Sequence, residues 1–94
     1  MTASPHILAR LRALIALKGE TPHSVSLKLG WAGGRVGAKL TAPLRADGSP
    51  NPDYRGCTLV EADEILGALG LRADLAGKAT AAAEGAIDKI AIPS

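Results

Sequence analysis

Val25-Ser26-Leu27-Lys28-Leu29-Gly30-Trp31-Ala32-Gly33-Gly34-Arg35-Val36-Gly37-Ala38-Lys39-Leu40 reads as two short helices about a glycine. Val25 and Leu29 stand four residues apart, as do Val36 and Leu40, a spacing that puts each pair on one helical face. Gly30 interrupts the pattern, which resumes three or four residues later. Thr21-Pro22 just upstream supplies an N-cap and a proline at the first helical position, where its missing N–H costs nothing. Pro43 marks a stop. Helices are therefore predicted near residues 22–29 and 33–42. The second is the weaker, because Gly33, Gly34 and Gly37 each cost about 1 kcal/mol relative to alanine inside a helix.

The same punctuation recurs outward from this stretch. Ser4-Pro5 opens a first helix, predicted over 4–18, with Ile7, Leu8, Leu11, Leu14 and Ile15 at helical spacing and Lys18-Gly19 at its end. Lysine complements the negative end of the helix dipole, and glycine tolerates the left-handed terminal conformation. Thr58 and Glu61 form a capping box for a helix over 59–69, read with Val60, Ile65, Leu66 and Leu69 on its apolar face and Gly70 as its stop. Between them, residues 43–57 hold Pro43, Asp47-Gly48, Ser49-Pro50, Asn51-Pro52 and Gly56, turn formers in quick succession that predict a long loop. Residues 74–92 allow a looser fifth helix, with Leu75, Ala79, Ala82, Ala83, Ala86, Ile87 and Ile90 near one stripe. That stripe is expected either to pair with a second copy of the chain or to fold back on its own core.

Ninety-four residues suit one compact unit, divided here into residues 1–73 and an Ala-rich tail, 74–94. Eighteen alanines, 11 glycines and only two aromatic residues disfavour a β-sandwich, which draws on Val, Ile, Thr and aromatics, and point to an all-α fold of four to five helices. The lone Cys57 excludes an intramolecular disulfide and suits a reducing cytosol, with packing as its expected role. His6 and His23 are the only histidines, too few ligands for a structural zinc site, and no cofactor is expected. No apolar run approaches a membrane span, and a secretory signal is not legible near Met1. The formal charge of +2 divides unevenly. Residues 1–56 carry Arg10, Arg12, Lys18, Lys28, Arg35, Lys39, Arg45 and Arg55 against Glu20, Asp47 and Asp53, a net +5. Residues 57–94 carry Arg72, Lys78 and Lys89 against Glu61, Asp63, Glu64, Asp74, Glu84 and Asp88, a net −3. A basic front half is what a polyanion partner attracts, although a solvated surface accounts for the same bias.

Two short helices joined by a tight turn are the pattern of a helix-turn-helix. The stretch from Val25 to Leu40 resembles the DNA-binding core of the lambda-repressor-like family, and the segment Gly56 to Leu71 looks like that family's fourth helix. The resemblance covers about residues 5–75. It implies that Val25, Leu29, Trp31 and Val36 pack inward, that Ser26 is small because two helices cross there, and that Gly30 makes the turn. It also implies a small DNA-binding regulator, similar in style to those of actinobacterial phages or prophages, acting in the bacterial cytoplasm or nucleoid as a homodimer paired through the tail. Two departures matter. Lys39 stands where the family usually has an apolar residue, so Leu40 is expected to do that packing. The positions that usually reach base edges hold Ala32, Gly33, Gly34 and Ala38, whereas direct readout needs side chains such as Arg, Asn or Gln.

The residues expected to touch DNA are Thr21, Ser24, Lys28, Gly33, Gly34, Arg35, Lys39, Arg45 and Arg55. Lys28 and Lys39 read equally as solvated surface cations, Arg35 more as a DNA contact than as one, and the hydroxyls of Thr21 and Ser24 are explained by capping alone. Gly33 and Gly34 would let a phosphate approach the backbone. Asp63, Glu64 and Glu61 read as a solvated acidic face. No phosphate-binding glycine loop or nucleophile–base pair can be assembled, so no enzyme is expected. The rival to DNA binding is a module that engages and disturbs a host protein, an alternative favoured by the missing base-reading side chains.

Overall fold

In the computed structural model, which describes residues 2–90, the chain is all-α: α1 (Pro5–Leu17), α2 (Pro22–Lys28), α3 (Arg35–Lys39), α4 (Leu59–Ala68) and α5 (Thr80–Asp88). The caps form where the sequence places them. Ser4 Oγ accepts from the Ile7 N–H, Thr21 and Ser24 close a reciprocal capping box on α2, and Thr58 and Glu61 close another on α4. Each such cap is worth about 1 kcal/mol. Past the end of α2, Gly30 adopts φ +73°, its N–H donates to Leu27 O, and the Trp31 N–H donates to Ser26 O. This is the paired closure of a helix C-terminus that needs a left-handed residue, and Gly19 and Gly70 end α1 and α4 in the same way.

α3 is shorter than predicted at both ends. Gly33 and Gly34 stay in the turn, because neither favours helix and Gly34 offers no side-chain cap. After Lys39 the chain is already turning towards Pro43, before which helical backbone is disfavoured. Leu40 is buried while Lys39 is not, as expected from the lysine at the usually apolar position.

The core draws on every helix: Ile7, Leu8, Leu11, Leu14 and Ile15 of α1, Val25 of α2, Val36 of α3, Leu59, Ala62, Ile65 and Leu66 of α4, and Ala83 and Ile87 of α5. On α4 the expected Val60 is 54% exposed and Leu59 faces inward instead. Leu59, Ala62, Ile65, Leu66 and Leu69 keep the three- and four-residue spacing of one face, from which Val60 is rotated by about 100°.

Residues 43–51 are not featureless. Leu44 and Pro50 bridge, the Arg45 N–H donates to Ser49 O, and the Asn51 N–H donates to Pro43 O, which makes a small hairpin whose tip carries Arg45. At the other end of the linking segment, Ala3 N–H donates to Cys57 O at 2.6 Å and ties the N-terminus beside α4.

The tail departs most from its sequence reading. α5 starts only at Thr80, since the chain turns at Asp74 and Gly77, both with positive φ. Leu75, Ala83 and Ile87 are fully buried, whereas Ala79 and Ala82 are exposed. α5 lies against α1, where His6 Nε2 meets Asp88 Oδ1 at 2.7 Å and Arg10 reaches the carbonyls of Asp88 and Ile90. Residues 74–90 thus complete the core of residues 2–73 rather than forming a separate appendage. Of the predicted apolar stripe, Leu75, Ala83 and Ile87 are covered within the chain, as the fold-back alternative expects, while Ala79 and Ala82 face outward. Ala91 and Ile92, the last residues of the predicted tail helix, lie outside the described residues. The radius of gyration, 12.6 Å, fits a single packed unit of this length, for which about 12 to 13 Å is usual.

Candidate nucleic-acid interface

Three elements converge around Ser26. Its side chain is fully buried; the hydroxyl donates to Pro22 O at 2.9 Å and accepts from the Val36 N–H at 3.0 Å. Val36 is the second residue of α3, whose own N-cap, Gly34, makes no side-chain hydrogen bond. α2 therefore supplies the cap that α3 lacks, and one hydroxyl fixes the angle between the two helices. Small size accounts for only half of what position 26 requires.

The outer face of α2, the turn and α3 exposes His23, Leu27, Lys28, Ala32, Gly34, Arg35 and Ala38. Arg35 is held from two sides. Its guanidinium lies 4.5 Å from the centre of the Trp31 ring, and its Nη2 is 3.4 Å from Glu61 Oε2. Lys39 Nζ meets the same oxygen at 3.2 Å. Glu61 Oε1 accepts the Thr58 N–H at 3.0 Å, so its two oxygens have separate tasks, one capping α4 and the other holding both cations of α3. Burial pushes the Glu61 carboxyl up, but the hydrogen bond from the Thr58 backbone and the Lys39 ammonium outweigh it, and its pKa lies below the ordinary value.

Lys28 is paired with Glu20 at 2.7 Å, and that contact, before any other influence, holds the Glu20 carboxyl below its usual range. Thr21 and Ser24 spend their hydroxyls on the α2 capping box, with Ser24 Oγ also 3.4 Å from Glu20. A Cβ on Gly33 would fall 2.5 Å from His23 Cε1, so the imidazole occupies the space that glycine leaves. Gly34 has nothing within 4 Å of a would-be Cβ. Arg45 stands exposed at the hairpin tip. Arg55 folds its Nη1 onto the carbonyls of Pro52 and Tyr54.

The structure thus gathers Arg35 and Lys39 on one carboxylate and Lys28 and Ser24 on Glu20, with Thr21 bonded to Ser24, while Arg45 and Arg55 sit apart in the linking segment. From the sequence, Glu61 reads as a capping residue and, with Asp63 and Glu64, as part of a solvated acidic face; the holds of Glu61 on Arg35 and Lys39 and of Asp63 on the tail are what it does not show. The Asp63 carboxylate accepts the N–H groups of Leu75 and Ala76, each at 2.8 Å, and anchors the approach to α5, so these two acids do not form a merely solvated face. The Thr58–Glu61 box signals the cap, whereas the Trp31–Arg35 contact is made across the turn before α3 and has no helical spacing to signal it. Nothing local signals the link from Glu61 to Arg35, 26 residues away.

Cys57 is buried, and burial followed by the nearby Glu61 charge pushes its thiol up to about 11. Among the described residues no group of three or more His, Cys, Asp or Glu is placed to hold a metal ion, and no helix is long and apolar enough to cross a membrane. Comparison with protein-family models, curated proteins and solved structures finds no match to this chain.

Proposed function

We propose that the chain is a small DNA-binding protein, a transcriptional regulator that docks α2, the Gly30 turn and α3 on duplex DNA as a helix-turn-helix. The observation that carries this reading is the α2–α3 unit itself, locked by the bond from Val36 N–H to Ser26 Oγ with its outer face uncovered. In a helix-turn-helix the second helix enters the major groove and the first crosses the backbone. Here the entering surface is nearly bare, Ala32, Gly34 and Ala38, with Arg35 and Lys28 beside it. Such a surface supports grip on phosphate over reading of bases, and modest sequence preference follows. Pairing of two copies on a twofold site would use surface other than Leu75, Ala83 and Ile87, which are buried within the chain.

The test is titration of a random-sequence duplex at several salt concentrations. If about four cations engage the backbone, log affinity falls against log salt with a slope of roughly −3 to −4. Arg35→Ala should weaken binding more than Lys78→Ala, which alters the tail half. Equal affinities for wild type and Arg35→Ala, or no binding at low salt, would favour the second reading, a module that engages a host protein. Two observations speak for that alternative: Arg35 and Lys39 are already paired within the chain, and Leu27 on α2 is 59% exposed.

A further inference from the structure

We propose that Glu61 is a built-in competitor for DNA phosphate, holding Arg35 and Lys39 in the free protein and thereby setting how weakly the α2–α3 face binds nucleic acid. This rests on the DNA-binding reading above. Three features of the cluster point to it. First, the carboxylate is fixed: its side chain is only 14% exposed, and its other oxygen is committed to the Thr58 N–H. Second, the cations are the more exposed members. Arg35 is 48% exposed and Lys39 25% exposed, each on a long flexible stem that can turn towards solvent. Third, both cations share one oxygen, at 3.4 and 3.2 Å, so two positive charges meet one negative charge and the cluster keeps a single net positive charge. The Arg35 pair is half exposed and long, at 3.4 Å, a weak contact, and an array of phosphates can draw both cations from the one oxygen they share. Glu61 nevertheless cancels one unit of the charge that would otherwise release counterions from DNA.

The conservative variant separates this role from the structural one. Glu61→Gln keeps an amide oxygen to accept the Thr58 N–H, since glutamine also serves in a capping box, but removes the charge. One further cation made available to phosphate should steepen the salt slope by about 0.9, which corresponds to about 3- to 10-fold tighter binding near 0.1 M salt. Glu64, exposed on the same helix and paired with no cation among the described residues, is the control for net charge alone.

The experiment titrates a fluorescent random-sequence duplex with the full chain as wild type, Glu61→Gln, Glu64→Gln, and the double variant Arg35→Ala/Lys39→Ala with and without Glu61→Gln. Thermal melts confirm that each is folded. The expected result is a gain for Glu61→Gln well beyond that for Glu64→Gln, with a steeper salt slope, and loss of that gain when Arg35 and Lys39 are absent. Binding by Glu61→Gln where the wild type shows none would support the proposal equally. Equal gains from Glu61→Gln and Glu64→Gln, or a gain that persists without the two cations, would overturn it and leave the DNA-binding reading standing. Absence of binding by every variant would overturn both. Should Glu61→Gln melt early, the side-chain carboxyl resonance of Glu61 in the wild type decides the matter: it should shift when duplex is added, and a resonance that stays in place refutes the competition.

Discussion

Removing the hydroxyl of Ser26 would leave the Val36 N–H buried without a partner. A stranded buried donor costs about 1–3 kcal/mol. Ser26→Ala should therefore lower the unfolding free energy by that amount, seen as a lower urea midpoint with little change in the slope of the transition, and the amide of Val36 should exchange with solvent faster than its neighbours. Cys57 makes a prediction of opposite character, in which the group is stabilising because it stays neutral. Its thiol has an ordinary pKa of 9.0 and is raised to about 11 in the fold, chiefly by burial. The protonated form is thus favoured by the native state. Its contribution to stability is complete below pH 9 and is lost as pH rises towards 11. Stability of wild type relative to Cys57→Ala should fall across that window, as read from urea midpoints measured on both sides of it.

Among the elements, α5 is the one whose importance its sequence conceals. Thr80–Asp88 contains four alanines and a glycine, an unpromising composition, yet Ala83 and Ile87 have no exposed surface. Ile87→Ala should destabilise the whole domain by about 2–5 kcal/mol in chemical unfolding, as a core substitution does. A small effect confined to the tail would show that α5 is only loosely attached. The helix also begins badly: its N-cap is Ala79, with extended backbone and no side-chain hydrogen bond. Ala79→Asp would supply the missing acceptor and a negative charge at the positive end of the helix dipole. A gain of about 0.5–2 kcal/mol is expected, measurable as a higher melting temperature. α3 has the converse arrangement, a five-residue helix with two glycines before it that persists because α2 reaches over to cap it.

For the whole molecule, the decisive feature is that the tail's largest apolar contacts are made internally. Leu75, Ala83 and Ile87 belong to the same core as α1 and α4, so they offer no adhesive surface to a second copy. Sedimentation of the full chain without DNA should give a monomer, and Ile87→Ala should change stability without changing any self-association. A concentration-dependent dimer abolished by that substitution would refute this account. Charge is arranged by the same folding. The basic front half looks unopposed along the sequence, but the fold brings Glu61 of the acidic back half onto Arg35 and Lys39, so the effective field of the α2–α3 face is weaker than the division at residue 56 suggests.

Local chemistry was enough to determine the helices and their ends. Ser4, Thr21 and Thr58 cap because their hydroxyls reach backbone donors three residues on, and Gly19, Gly30 and Gly70 stop helices because only nearby φ angles decide it. The burial of Leu40 in place of Lys39 was legible for a similar reason: adjacent positions on a helix point about 100° apart. The tertiary structure alone decided which partner each polar and apolar face would meet. The Ser26 cap on Val36, the seat of the His23 ring on Gly33, the hold of Glu61 on two cations and that of Asp63 on the tail join residues from 10 to 26 positions apart. Such contacts depend on how helices are oriented, and orientation follows from the packing of all five faces together. A periodic stripe records that a face must be covered; only the assembled core shows that, for α5, the cover is α1.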